Sequence, residues 1–275
     1  MKVLIASLYK NPFARIAFVL FFCLVGWWWY LQYLGLSNTE DTRQMWAVLY
    51  QIIALYGGIL GIITSKAWGG SKSLFGRVVL AFSIGLLLQA FGQSMYSYYI
   101  YYLNIDVPYP SLGDIGFFGS IPFYIYGSIL LARTSGVKVS LKSFETKIQA
   151  FLFPLVALSI SYWVFLKGYD FVSTAPLKIF LDFGYPLGQA VYVSIALLTL
   201  LFSREVLGGI MKGPVRFFLF ALIFQYISDY MFLYQESRET WIVGGMNDLC
   251  YATSYFLMTL SLIYVGIIYR RIEKV

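Results

Sequence analysis

Three aspartates, each followed three residues later by an aromatic, recur at nearly constant spacing: Asp114-Ile-Gly-Phe117, Asp182-Phe-Gly-Tyr185 and Asp248-Leu-Cys-Tyr251. The steps are 182 − 114 = 68 and 248 − 182 = 66 residues, and a fixed period of that size marks a duplicated structural unit. All three fall in runs apolar enough to cross a bilayer, where an ionisable side chain is costly unless satisfied and is a functional candidate by default. Asp229 is a fourth acid of this kind, and Gln93, Ser94, Tyr96, Gln189 and Asn247 read at a similar depth. Carboxylates, amides and hydroxyls converging at one level suit a cation, a protonated amine or a proton. They suit interhelical hydrogen bonds equally well, at about 0.6 kcal/mol each. The candidate ligand or ion pocket is therefore Asp114, Asp182, Asp229, Asp248, Gln93, Tyr96, Ser111, Tyr185, Gln189, Asn247 and Tyr251, with packing between helices as the competing reading.

For Asp114 a local role also fits. Ser111, three residues upstream and just after Pro110, makes a capping arrangement in which Asp114 satisfies backbone donors at a helix start. With helix starts near Ala175 and Trp241, Asp182 and Asp248 lie seven residues in, about 10 Å along the axis and too deep for a first-turn cap. Oxygen-only ligands favour a hard cation such as calcium over zinc or copper, but no spacing matches a defined metal motif. The chain contains no His, which removes His-based triads, His metal sites and imidazole pH sensing. Cys23 and Cys250 both fall within apolar runs and read as small hydrophobes. No nucleophile and base pair, phosphate loop or mid-membrane Schiff-base Lys stands out, so no catalytic residue, no metal, no cofactor and no enzyme activity is expected.

The elements that must hold these residues follow from composition. With 60% hydrophobic, 20% aromatic and 12% charged residues over 275 positions, the chain has too little polar surface for a soluble globule. Runs long enough to span about 30 Å of hydrocarbon fall at 14–36, 44–64, 77–102, 113–133, 147–166, 176–202, 214–235 and 241–269. Unpaired backbone finds no water at membrane depth, so the class is all-α, an integral membrane protein of eight transmembrane helices. The first run is interrupted early by Lys10, Pro12 and Arg15 and reads as a retained span, not a signal peptide.

Sixteen of the twenty Lys and Arg collect at one set of span ends: Lys2, Lys10, Arg15, Lys66, Lys72, Arg77, Arg133, Lys138, Lys142, Lys147, Arg204, Lys212, Arg216, Arg270, Arg271 and Lys274. The other ends hold Arg43, Lys167, Lys178 and Arg238 together with ten of the thirteen acids. The positive-inside rule then places both termini in the cytoplasm and the protein in the plasma membrane as a multi-pass protein. The net charge of +7 reflects this asymmetry, so the expected partner is the lipid bilayer and no nucleic acid.

The period of 66 to 68 residues predicts one transmembrane domain over 1–275 built of four pseudo-repeated parallel hairpins, about 14–64, 77–133, 147–202 and 214–269. Extending it backward reaches Trp46, with no acid there. Aromatics crowd the ends of the odd spans, as at Trp27, Trp28, Trp29, Tyr98, Tyr99, Tyr101, Trp163 and Tyr230, which reads as an interfacial belt or as the lining of an external pocket. Gly57, Gly58, Gly61, Gly113, Gly116 and Gly119 read as close helix contacts, and Pro122 and Pro186 as bends.

The strings Phe91-Gly-Gln-Ser-Met-Tyr-Ser-Tyr-Tyr99 and Val107-Pro-Tyr-Pro-Ser-Leu-Gly-Asp114-Ile-Gly-Phe-Phe118 carry a resemblance, as does Gly245-Met-Asn-Asp248 with Tyr251. They resemble the multi-pass membrane regions that stand ahead of diguanylate cyclase, phosphodiesterase or histidine kinase domains in bacterial signalling proteins, with their G-Q-x-x-[WY] and P-[FY]-P-S-x-x-D steps. The resemblance carries over Gln93, Pro110, Ser111, Asp114 and Asp248, and covers Arg77 to Arg133 and Phe217 to Tyr269. It implies a membrane sensor or receptor-like module acting in signal transduction, here without an output domain after Val275. Such a module would detect a small external ligand, cation or proton and act through a separate cytoplasmic signalling protein. A transporter or channel for protons, cations or small amphiphiles is the main alternative, and a scaffold of a membrane complex the second.

Overall fold

The computed structural model describes residues 8–35, 41–105, 107–135, 144–167, 169, 171–172, 174–202, 211–236, 238 and 240–273. Lys2, Lys138, Lys142, Arg204 and Lys274, used above to orient the chain, lie outside the described residues. Eight helices are long and apolar enough to cross a membrane: α1 Pro12–Leu34, α2 Asp41–Ala67, α3 Leu74–Tyr102, α4 Gly113–Thr134, α5 Lys147–Leu166, α6 Pro176–Phe202, α7 Lys212–Glu236 and α8 Met246–Ile272. Among the described residues there is no strand. The architecture is that of an all-α multi-pass membrane protein, with each backbone satisfied inside its own helix as hydrocarbon demands.

Local signals set several helix ends. Asn11 caps α1 by accepting from Phe13 N at 2.9 Å and Ala14 N at 3.2 Å, with Pro12 in the first turn, where its missing N–H costs nothing. Gly35 ends α1 in the left-handed region at φ +60°. Ser73 caps α3 through Gly76 N at 2.8 Å. The second span is broken at Tyr50 and Gln51, between the helical pieces Asp41–Leu49 and Ile52–Ala67. The third and fifth spans each finish in a π-helical turn, at Tyr98–Tyr102 and Tyr162–Leu166.

Six helices form a closed ring in which α2 packs on α3, α3 on α4, α4 on α6, α6 on α7, α7 on α8 and α8 back on α2. Helix α1 lies against α8 and α2, and α5 lies outside against α6. The interior holds Trp46, Tyr124, Tyr192, Tyr255, Phe82 and Phe218, all fully buried. Apolar side chains such as Val19, Phe22, Ile59, Ile63 and Phe151 point outward, as a lipid-facing surface requires.

The α3–α4 seam is the tightest in backbone terms. A Cβ on Gly116 would lie 2.4 Å from Leu88 O and 2.5 Å from Gly92 N. Gly57 meets the Thr259 side chain in the same way at the α2–α8 seam, where Thr259 Oγ1 also donates to Ile53 O at 3.1 Å. Small residues let helices approach closely where no hydrophobic force acts between them.

Span boundaries agree with the sequence reading to within a few residues at almost every end. The exception bears on the site. Helix α8 starts at Met246, not near Trp241, because Gly244 turns the chain at φ +62° and the extended Gly245 follows it. Asp248 therefore sits in the first turn, and the expectation that it lies too deep to cap a helix is corrected.

Candidate functional site

Each candidate acid is met by specific donors, mostly tyrosine hydroxyls. Asp114 Oδ2 accepts from Ser111 N at 2.7 Å and Ser111 Oγ at 3.3 Å, while Ser111 Oγ accepts from Gly113 N at 3.1 Å. This is the reciprocal cap expected from Ser111 and Asp114. Its other oxygen, Oδ1, takes the Tyr185 hydroxyl of α6 at 2.6 Å, so a helix cap doubles as a bridge between α4 and α6. Tyr96 lies over Gly113 and meets Phe117 edge to face at 5.1 Å. We expect Asp114→Ala to cost about 1 kcal/mol for the cap and more for the stranded Tyr185 hydroxyl. Tyr185→Phe should recover the second part in a double-mutant cycle read by unfolding in mixed micelles.

Asp182 is set differently. It is partly exposed, and two loop tyrosines close on it: Tyr109 OH on Oδ1 at 2.7 Å and Tyr169 OH on Oδ2 at 2.5 Å. Partial burial, then the bond to Asp182, hold the Tyr109 phenol well above its ordinary pKa. Tyr109 therefore remains a donor at any physiological pH. The Lys178 ammonium lies 5.7 Å from the centre of the same ring.

Asp248 Oδ2 accepts from Gly244 N at 2.7 Å, closing the turn that starts α8. Side chains from α1 and α2 hold that turn from outside. Trp28 Nε1 donates to Gly245 O at 3.1 Å, Gln32 Nε2 to Gly244 O at 3.0 Å and Arg43 Nη1 to Val243 O at 3.3 Å. The sequence reading set four deep acids against no deep base and counted Arg43 among the charges beyond the span ends. Arg43 is instead 5% exposed, with Nη2 donating to Gln32 Oε1 at 3.3 Å.

Asp229 is the most enclosed of the pocket acids in its bonding. Oδ1 accepts from Gln225 Nε2 at 3.0 Å and from Tyr251 OH at 2.9 Å, and Oδ2 from Tyr192 OH at 2.9 Å. Those donors come from α7, α8 and α6, and all are neutral. The network continues outward: Ser254 Oγ donates to Gln225 Oε1 at 2.9 Å, and Asn247 Nδ2 to Ser228 O at 2.7 Å. Across the ring, Tyr255 OH donates to Gln89 Oε1 at 2.9 Å and Gln89 Nε2 to Ser120 Oγ at 2.8 Å. Tyr50, freed by the break in α2, donates to Gln93 Oε1 at 3.2 Å, and Gln93 Nε2 donates to Ala47 O at 3.1 Å.

The eleven candidate residues thus occupy neighbouring but separate constellations. Asp114, Ser111, Tyr185 and Tyr96 belong to the α3–α4–α6 corner, with Asp182 under the loops beside it. Asp229, Tyr251 and Asn247 belong to α6–α7–α8, and Gln93 to α2–α3. Among the described residues no group of three or more acids, Cys or His comes together as a metal cage. Gln189 and Asn247 are both buried, and Gln189 Oε1 and Asn247 Oδ1 have no hydrogen-bond partner.

Residues the sequence reading did not single out include Tyr192, Gln225, Gln89, Tyr255, Tyr109 and Tyr169. Of these only Gln225 was signalled locally, one turn before Asp229 on the same face. Comparison with protein-family models, curated proteins and solved structures returned no match. Function must therefore be argued from the arrangement itself.

Proposed function

We propose that this protein is a membrane sensor or receptor-like module. The carboxylate and tyrosine network at the end opposite the chain termini answers to an external proton, cation or small ligand. The change shifts helix packing, which a separate signalling protein reads at the other end. The observation that carries this reading is Asp229, an acid 8% exposed that ties α6, α7 and α8 together through neutral donors alone. Any change in its charge or bonding must alter how three helices meet.

On this reading the basic ends of the helices face the cytoplasm and the four hairpins are copies of one unit. Lys10, Arg15, Lys66, Lys72, Arg77, Arg133, Lys212, Arg270 and Arg271 support that orientation. The likeness to membrane regions of bacterial signalling proteins supports the same assignment, with the plasma membrane as location.

The test is hydrogen exchange of the full chain in nanodiscs after a step from pH 7.5 to 5.5. The wild type is expected to change exchange along α6–α8 beyond the first turns, and Asp229→Asn to flatten that response. Proton flux into proteoliposomes that depends on Asp229 would replace the sensor with a transporter. An unchanged response in the variant would leave the acid as structural glue.

A further inference from the structure

Positions related by 136 residues in α3 and α7, and by 134 residues in α4 and α8, make matching contacts. Phe82 and Phe218, 218 − 82 = 136 apart, stack on one another at 4.8 Å with a 21° interplanar angle. Gln89 and Gln225 share that offset, and each pairs with a serine of the next helix, Ser120 or Ser254, where 254 − 120 = 134. Gly113 comes close to Gly92 O in the first pair, while Asn247 Nδ2 bonds Ser228 O in the second, at the same two offsets. Asp114 and Asp248, also 134 apart, each close a helix start by accepting a backbone N–H. The α2–α8 and α4–α6 seams that complete the ring exchange under the same operation. Equivalent residues that touch each other and reciprocal contacts elsewhere are the signature of a two-fold axis, here within one chain and between parallel repeats.

The symmetry breaks at one polar position. The counterpart of Asp229 is Gln93, since 229 − 93 = 136. Each sits one helical turn after the paired glutamine and accepts a tyrosine hydroxyl from the preceding ring helix, Tyr50 of α2 for Gln93 and Tyr192 of α6 for Asp229. A neutral amide fills the packing role in one half, so the fold does not require a carboxyl in the other. The groups around Asp229 are Tyr192 of α6, Tyr251 and Tyr255 of α8, Tyr124 of α4 and Tyr230 of its own helix, with no cation among them. Asp248 lies within electrostatic range of Tyr255, and its own cationic neighbour is Arg43.

We infer that Asp229 is the proton-exchanging group of this bundle, the position at which one half of a duplicated scaffold acquired a titrating carboxyl. Binding one proton replaces the anion by a neutral acid with a single O–H. If that proton is on Oδ2, the carboxyl faces the Tyr192 hydroxyl with a donor, and Tyr192 must turn from donor to acceptor. The α6–α7 contact changes with it. This rests on the sensor reading only for what the proton would report, not for where it binds.

The test is infrared difference spectroscopy of the full chain in nanodiscs, titrated from pH 5 to 9 in H₂O and D₂O. The protonated carboxyl C=O stretch is expected to titrate in the wild type, to vanish in Asp229→Asn and to persist in Asp114→Asn, Asp182→Asn and Asp248→Asn. Asp229→Glu should move the band without abolishing it, and ¹³C-aspartate should shift the wild-type band, which covers the case of an Asn variant that does not fold. Survival of the band in Asp229→Asn overturns the inference. So does its absence from the wild type, or a signal that follows sodium concentration and not pH. A band that behaves as expected without the hydrogen-exchange response keeps the proton site and removes the sensor.

Discussion

Gly116→Ala is expected to destabilise the bundle by about 1–3 kcal/mol, the range for overpacking a tight contact, and to do so without touching a single polar group. The added methyl would meet Leu88 O, Gly92 N and Gly92 Cα at 2.4 to 2.8 Å, and these are backbone atoms that no rotamer change can move. Helix α4 would have to slide or tilt against α3, carrying Ser120 away from Gln89 and opening the Gln89–Tyr255 link. Gly119→Ala is the matched control, since its methyl would meet only Leu88 side-chain carbons at 3.8 to 4.0 Å. Unfolding of the purified chain in mixed micelles should separate the two, with the control within about 0.5 kcal/mol of wild type. Equal behaviour of the two variants would mean that the α3–α4 seam is not rigid.

Replacing Asp229 by leucine should cost more still. The substitution fills the volume but leaves Tyr192 OH, Tyr251 OH and the Gln225 amide without their acceptor. A buried donor stranded in this way costs about 1–3 kcal/mol, so a total of about 3 kcal/mol or more is expected, short of full additivity because the donors share one site. Asp229→Asn keeps one carbonyl oxygen and should lose far less. The triple change that adds Tyr192→Phe and Tyr251→Phe should recover much of the leucine loss, because an all-apolar site strands nothing but Gln225. The same micelle unfolding assay measures all three, and a leucine variant as stable as the asparagine one would contradict the bonding described.

Helix positions were readable because a bilayer-spanning run needs about 20 apolar residues and tolerates few substitutes. Ser111 with Asp114 was readable because capping is local. Local apolarity misled at the start of α8, where Trp241-Ile-Val-Gly-Gly245 reads as helix in hydropathy but contains the Gly244 turn. That shift of five residues changed Asp248 from a deep acid to a capping one. Asp229 stood out as an acid in an apolar run, yet its partners Tyr192 and Tyr251 lie 37 and 22 residues away, on other helices. Which tyrosine meets which aspartate depends on the order of helices around the ring, and no spacing along one chain encodes it. The near-repeat of 66 to 68 was visible, whereas its doubling into a two-fold relation needed the Phe82–Phe218 contact.

The turn at Val243, Gly244 and Gly245 is gripped by Arg43, Gln32 and Trp28, residues 200 to 217 positions earlier in the chain. During synthesis, therefore, α1 and α2 must wait in the bilayer with these donors unmet until the seventh loop arrives. Only the last helix can close the ring onto α2. Assembly of this protein is thus gated by its carboxyl-terminal end, and a chain stalled before Met246 would expose to lipid an open seam lined by Gly57, Gly61 and Ile53.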